Sequence, residues 1–193
     1  MAQSTRQMEK PKIFGVYTQS MLTLKVLLSI KEVGKNAKQN LEKKISNMTE
    51  GKCIMQGFIR PGSVKIISYS SGMVNNENVE FQTAFECMIC YPTEGMLIEC
   101  QTKTITKAGI HAEVLDTDGT VPLIVFVSRD HHFKEKEFSN VKENMKITIR
   151  VIGVRFELND PYISVIGKLV DSTENQFVPQ NKFNKPRINI HNE

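Results

Sequence analysis

The stretch from Tyr91 to His132, YPTEGMLIECQTKTITKAGIHAEVLDTDGTVPLIVFVSRDHH, decides the fold. From Met96, apolar Met96, Ile98 and Cys100 are interleaved with Glu99, Gln101 and Lys103. A period of two marks a strand with one buried face. After Gly109, Ile110, Ala112 and Val114 share one face, while His111 and Glu113 share the other. Asp116-Thr117-Asp118-Gly119 then supplies a hairpin turn, because Asp and Gly tolerate positive φ. A third run, Leu123–Val127, ends at Ser128-Arg129-Asp130. The pattern predicts three consecutive antiparallel strands.

Downstream, Phe133–Glu143 is charged and reads as a loop or a short helical turn. Met145, Ile147, Ile149 and Val151 alternate with Lys146, Thr148 and Arg150 and predict a fourth strand. Asn159-Asp160-Pro161 turns the chain, and Ile163, Val165 and Leu169 define a fifth. Five strands complete the count of an OB-fold barrel. From Ser172 the chain is rich in Asn, Pro and Lys without a period, so 172–193 reads as a flexible tail, like the polar residues 1–12.

Upstream, Ser20–Ile30 alternates, with Leu22, Leu24, Val26, Leu28 and Ile30 on one face. Over Lys35–Asn47 the apolar positions Ala37, Leu41, Ile45 and Met48 fall at helical spacing, leaving Glu42, Lys43 and Lys44 in solvent. Gly51–Ile59 and Val64–Tyr69 read as two strands joined by Arg60-Pro61-Gly62-Ser63, a type II turn. Ser70-Ser71-Gly72 and Asn75–Asn78 are loops, and Val79–Tyr91 is a long strand. Pro92-Thr93-Glu94-Gly95 is a short junction, which argues for two halves packed tightly. The predicted fold class is therefore α+β. A strand–helix–antiparallel sheet domain over 13–92 precedes a five-stranded OB-fold barrel over 93–171.

Composition excludes more than it selects. The chain has 193 residues, 40% of them hydrophobic, no Trp, and a net charge of +4, which permits nucleic-acid contact without demanding it. No apolar run is long enough to span a bilayer, and MAQSTRQMEK is not a secretory leader. Cys53, Cys87, Cys90 and Cys100 read as reduced thiols of an intracellular protein. Cys87-Met88-Ile89-Cys90 invites a zinc reading, but in an extended strand residues three apart face opposite sides. Apolar packing of small thiols is the simpler account. His131-His132 stands without a Ser, Cys or carboxylate at telling spacing. Neither a Gly-rich phosphate loop nor HExxH is present, so no catalytic residue, metal or cofactor is expected.

Both halves together resemble one family, the larger subunit of the RNA polymerase stalk: the seventh subunit of eukaryotic RNA polymerase II and its archaeal counterpart. The resemblance runs from about Ser20 to Asp171. It is carried by NMTEGKC (Asn47–Cys53), VEFQTAFECMICYPTEGMLIE (Val79–Glu99), ITKAGIHAEV (Ile105–Val114), VFVSRD (Val125–Asp130) and the closing VIGV…ISVIGKLVD. KAGIHAEV alone fits any ribosomal-type RNA-binding OB-fold. The strand–helix–EG unit joined to it by P-x-x-G is far more specific. The resemblance implies a non-catalytic polymerase subunit whose first domain wedges into the polymerase core subunits and whose barrel meets nascent single-stranded RNA. A smaller helical stalk partner usually accompanies it. The expected location is the site of transcription, nuclear in a cellular eukaryote. The Lys, Asn and Ile bias suggests an AT-rich genome such as that of a large DNA virus, for which the site would be cytoplasmic or in the virion. The two tails depart from the family, and His111 stands where many such barrels carry an aromatic.

Candidate residues follow. If Leu123, Val125 and Val127 face inward, Phe126 faces out, and His111 faces out beside it on the neighbouring strand. Lys103, Lys107, Arg129, Lys146, Arg150 and Arg155 then frame an RNA face, since bases stack on rings and phosphates need positive charge. The bland alternative packs Phe126 under the Phe133–Glu143 loop and leaves the cations solvated. For docking on the polymerase, the resemblance points to the loops holding Lys31, Val33, Gly34, Lys35 and Asn36, and Tyr69, Ser70, Gly72 and Met73. Rival readings are a free-standing OB-fold RNA-binding protein of translation or RNA decay, and a scaffold that never touches RNA.

Overall fold

A computed structural model describes residues 15–132, 138 and 140–170. The expected tails, 1–12 and 172–193, lie outside the described residues, as does most of Phe133–Glu143.

The first half is a six-stranded sheet built on two long strands, β1 (Tyr17–Ser29) and β6 (Asn78–Cys90). They pair antiparallel throughout, from Tyr17 opposite Cys90 to Ser29 opposite Asn78. β3 (Gly57–Ile59), β4 (Lys65–Tyr69) and β5 (Met73–Asn75) share the other edge of β6, with β2 (Cys53–Ile54) beyond β3. Helix α1 (Ala37–Thr49) covers the inner face, so Leu41 and Ile45 pack with Val26, Leu28, Ile66, Phe81 and Phe85 in one core.

Four local expectations change in this half. Strand β1 stops at Ser29, and Ile30 is 53% exposed in a 3-10 turn, Ile30–Glu32. There the Ser29 amide donates to the Glu32 carboxylate, and the Ile30 amide still donates across to Glu77 O, but Ile30 O accepts from the Val33 amide of the turn, which ends the ladder. On α1 the buried stripe is Ala37, Leu41, Ile45 and Thr49, while Met48 is 46% exposed. Steps of four drift only slightly round a helix, and Thr49 tolerates burial because its hydroxyl donates to Ile45 O at 2.7 Å. The single strand expected over Gly51–Ile59 is the hairpin β2–β3. Gly57 (φ 124°) is needed in it, since a Cβ there would collide with Cys90 O. Asn75–Asn78, expected as plain loop, instead turns β5 into β6 through Asn76 at φ 54°. The Arg60–Ser63 turn matches its type II expectation: the Ser63 amide donates to Arg60 O and Gly62 has φ 70°.

The second half is a closed five-stranded barrel: β7 (Leu97–Ile105), β8 (Gly109–Val114), β9 (Leu123–Ser128), β10 (Lys146–Arg155) and β11 (Ile163–Leu169). The order β10-β11-β9-β8-β7 closes through β10 onto β7, and only β9 and β11 run parallel. That order fits an OB-fold. Ile98, Ile110, Leu123, Val125, Val127, Ile149 and Ile163 are fully buried inside. Met145, expected to open the fourth strand facing inward, is 47% exposed, because the turn through Asn144 (φ 61°) precedes it.

The barrel is plugged at both ends. Phe58, Cys53 and Cys90 of the first sheet join its core at one end, and Phe138 joins it from the segment before β10. The first sheet is tied on by backbone as well: the Cys53 amide donates to Asp160 O and the Asn159 amide to Cys53 O, each at 2.8 Å. No described helix is long and apolar enough to cross a membrane.

Candidate nucleic-acid and docking surfaces

Barrel register makes His111 and Phe126 direct cross-strand partners on the outer wall. Their ring centroids lie 4.9 Å apart at 50°. His111 is exposed and Phe126 half-buried. Phe126 lies against Gly109, where an added Cβ would collide with Val127 O and come 2.9 Å from the ring, so glycine leaves room for both. Thr104 sits opposite His111, and Ile166 sits opposite Phe126 and is 49% exposed. The row Thr104, His111, Phe126, Ile166 is thus a mixed aromatic and apolar platform. The alternation of β11 already turned Ile166 outward, but sequence reasoning did not add it to the face.

The expected cations divide. Lys107 and Arg129 stand together at the barrel end away from the first sheet. The Arg129 amide donates to Ala108 O at 3.0 Å, and its guanidinium lies 5.1 Å over the Phe138 ring. Lys103 flanks the platform but is paired with Glu113 at 2.6 Å. Lys146, Arg150 and Arg155 sit on β10, which borders β7 and β11, and are not gathered with the rings. Lys146 pairs with Glu99 at 2.9 Å and Arg155 with Glu157 at 3.3 Å, while Arg150 lies opposite Lys168.

The two expected docking loops meet at one end of the first sheet, because Ser29 lies opposite Asn78 and Ile30 bonds to Glu77. Lys31, Val33, Gly34, Lys35 and Asn36 are all exposed there. Tyr69 packs edge-on to Phe81 at 6.0 Å, and the Ser70 hydroxyl accepts from the Gln82 amide. Gly72 is required by packing: φ is 83°, and a Cβ would lie 2.8 Å from both Phe81 and Val79. Gly34 has open space around it. Met73 and Val74, each 72% exposed, add with Ile30 an apolar tip. Ile30 and Val74 were missed because each stood within or beside a predicted strand or loop without a face assigned to solvent.

A shallow groove beside the start of β1 is lined by Thr18, Ser20, Met21, Leu22, Gln56, Ile89 and Tyr91. The four cysteines are buried free thiols. Cys87 packs under α1 while Cys90 packs in the barrel core, as opposite faces of one strand require. Among the described residues no three His, Cys, Asp or Glu side chains cluster as metal ligands.

No family model matches the chain. It is 23% identical over 177 residues to a protein of Acanthamoeba polyphaga mimivirus named as a DNA-directed RNA polymerase subunit, covering 83% of this chain and 85% of that one. It is 23% identical over 141 residues to DNA-directed RNA polymerase II subunit 7 of Arabidopsis thaliana, covering 64% and 76%. The corresponding subunit of Glycine max is 23% identical over 155 residues, covering 72% and 83%. These similarities support a place among RNA polymerase subunits.

Proposed function

We propose that the chain is a non-catalytic stalk subunit of a DNA-directed RNA polymerase, acting at the site of transcription. The exposed tip of Ile30, Val33, Met73 and Val74 docks on the polymerase core subunits. The platform of His111 and Phe126, flanked by Lys107 and Arg129, meets emerging single-stranded RNA. One observation carries this reading: an apolar tip on the first sheet and an aromatic platform on the barrel wall are carried by halves that share a core. Such an arm reaches from a docking site to a transcript. The relatives' names agree with it. The groove beside Tyr91 suits the smaller helical partner.

A free-standing RNA-binding protein of translation or RNA decay would use the barrel and leave the apolar tip without a role. Affinity purification of the tagged chain from native cells, with partners identified by mass, separates the two. Recovery with the large polymerase subunits is expected. Recovery of RNA without any polymerase subunit would overturn the stalk reading.

A further inference from the structure

The positive charge of this protein is concentrated away from the barrel. Residues 31–52 hold six lysines and three glutamates, which places three of the chain's net +4 charges in that stretch. The glutamates are committed elsewhere. Glu32 accepts from the Ser29 amide at 3.0 Å, Glu42 from the Ile66 amide at 3.2 Å and Glu50 from the Val64 amide at 2.9 Å. Two of these amides belong to the margin of β4 that faces α1, so turning the carboxylates outward would orphan them. None of Lys31, Lys35, Lys38, Lys43, Lys44 and Lys52 has an ion-pair partner among the described residues, and all but half-buried Lys52 are exposed. Several cations elsewhere are neutralised: Lys25 by Glu80, Arg60 by Asp116, Lys103 by Glu113, Lys146 by Glu99 and Arg155 by Glu157.

We propose that the solvent face of α1 is a second binding surface, which takes the phosphodiester backbone of a nucleic-acid strand without regard to sequence. The surroundings of the lysines favour phosphate over an acidic protein. Asn36, Gln39 and Asn47 lie exposed between them, and such amides share phosphate contacts with lysine. Stable protein interfaces are depleted in lysine and need a buried apolar or aromatic centre. On this face Met48 alone is a large exposed apolar side chain. Neither ring stacking nor the barrel wall is involved, so this inference goes beyond the stalk reading and stands apart from it.

The test is fluorescence anisotropy of the full chain with labelled oligouridylate and oligothymidylate across a salt series. Lys43→Gln/Lys44→Gln should lower the slope of log affinity against log salt by about 1.4, since each lost phosphate contact on a single strand removes about 0.7. From about 50 to about 200 mM salt that makes binding roughly seven-fold less salt-sensitive. The loss should be alike on both oligonucleotides, because they share the phosphate, and Lys43→Gln alone should remove about half of it. Both side chains are exposed, so melting should match the parent. An unchanged slope overturns the proposal. If Phe126→Ala still weakens oligouridylate binding in that case, the barrel reading survives the failure. Capture of polyglutamate by these lysines with the oligonucleotide slope unchanged would overturn the nucleic-acid assignment in favour of an acidic protein.

Discussion

Arg60→Met tests how the two halves of the molecule are held. Arg60 leaves the turn after β3 and reaches the β8–β9 connection of the barrel. Its Nε lies 2.6 Å from Asp116 Oδ2, and Nη2 donates to Asp116 Oδ1 at 3.2 Å, Thr117 Oγ1 at 3.1 Å and Asp118 Oδ2 at 3.2 Å. The Nε contact is an ion pair and not an aligned hydrogen bond. The guanidinium also lies 5.5 Å from the ring centre of Tyr17. Burial, and then the Asp116 charge, holds the Tyr17 hydroxyl well above the usual phenol range. Removing Arg60 leaves a carboxylate whose side chain is only 11% exposed without its cation and held by Thr117, whose amide donates to Asp116 Oδ1 at 2.7 Å. Truncating one partner of a fully buried pair costs about 3–5 kcal/mol. Arg60 keeps 28% exposure, and the bond to Asp118, which is 65% exposed, contributes little. The expected loss is therefore about 2–3 kcal/mol, or roughly 4–12 °C in Tm for a chain of this size. Urea unfolding of Arg60→Met, Asp116→Asn and the double variant gives the coupling directly. A coupling below about 0.5 kcal/mol would mean that the pair is a solvated rim contact, and the reasoning about the seam would be wrong.

Val125→Asp should unfold the barrel, because an unpaired charge at a fully buried site costs several kcal/mol. Phe126→Ala should leave the fold intact and weaken single-stranded RNA binding by about 1–3 kcal/mol in anisotropy titrations, and the reverse ranking in thermal melts would invert the two faces. Gly72→Ala should cost about 1–3 kcal/mol in urea unfolding, from its φ of 83° and the collision with Phe81 and Val79, whereas Gly34→Ala should stay within about 0.5 kcal/mol; equal effects would refute the distinction. Burial pushes the Cys90 and Cys100 thiols from 9.0 up to about 12, so the folded chain holds these protons after the unfolded chain has lost them. Stability should be unaffected below pH 9 and fall as pH rises from there toward 12, which urea midpoints across that window would reveal.

Legibility in the sequence followed the range of the interaction. Barrel strands were readable because alternation such as Ile110, Ala112, Val114 is a local consequence of one buried face. The placing of Phe126 and His111 on one wall followed from two such patterns and needed no tertiary knowledge. Hairpin β2–β3 was not readable, since CIMQGF carries no period and the turn exists to bring Gly57 under Cys90. The end of β1 is set by the turn itself, where Glu32 accepts from the Ser29 amide and Ile30 O from the Val33 amide, contacts that the alternation of Leu22 to Ile30 does not reveal. The plugging of the barrel by Phe58 depends on residues far apart in the chain, which no window of sequence contains.

Charge was the least legible property, and it decides where a polyanion can rest. Alternation says that Lys103 and Lys146 face solvent, but only register says that Glu113 and Glu99 stand beside them. A lysine already paired must give up that partner before it meets a phosphate, which offsets much of the gain. The reverse holds on α1. Glu42, Lys43 and Lys44 read alike as solvated positions, yet Glu42 is turned to the Ile66 amide and neither lysine has an ion-pair partner among the described residues. Pairing thus withdraws Lys103, Lys146 and Arg155 from the charge available on the barrel and leaves the lysines of the helix over the first sheet available. If a single strand lies on the barrel wall as proposed, the attraction left for it there is ring stacking on Phe126 and His111, with Lys107 and Arg129 at one end. Binding there should accordingly respond weakly to salt and strongly to loss of a ring, and binding on α1 the other way round.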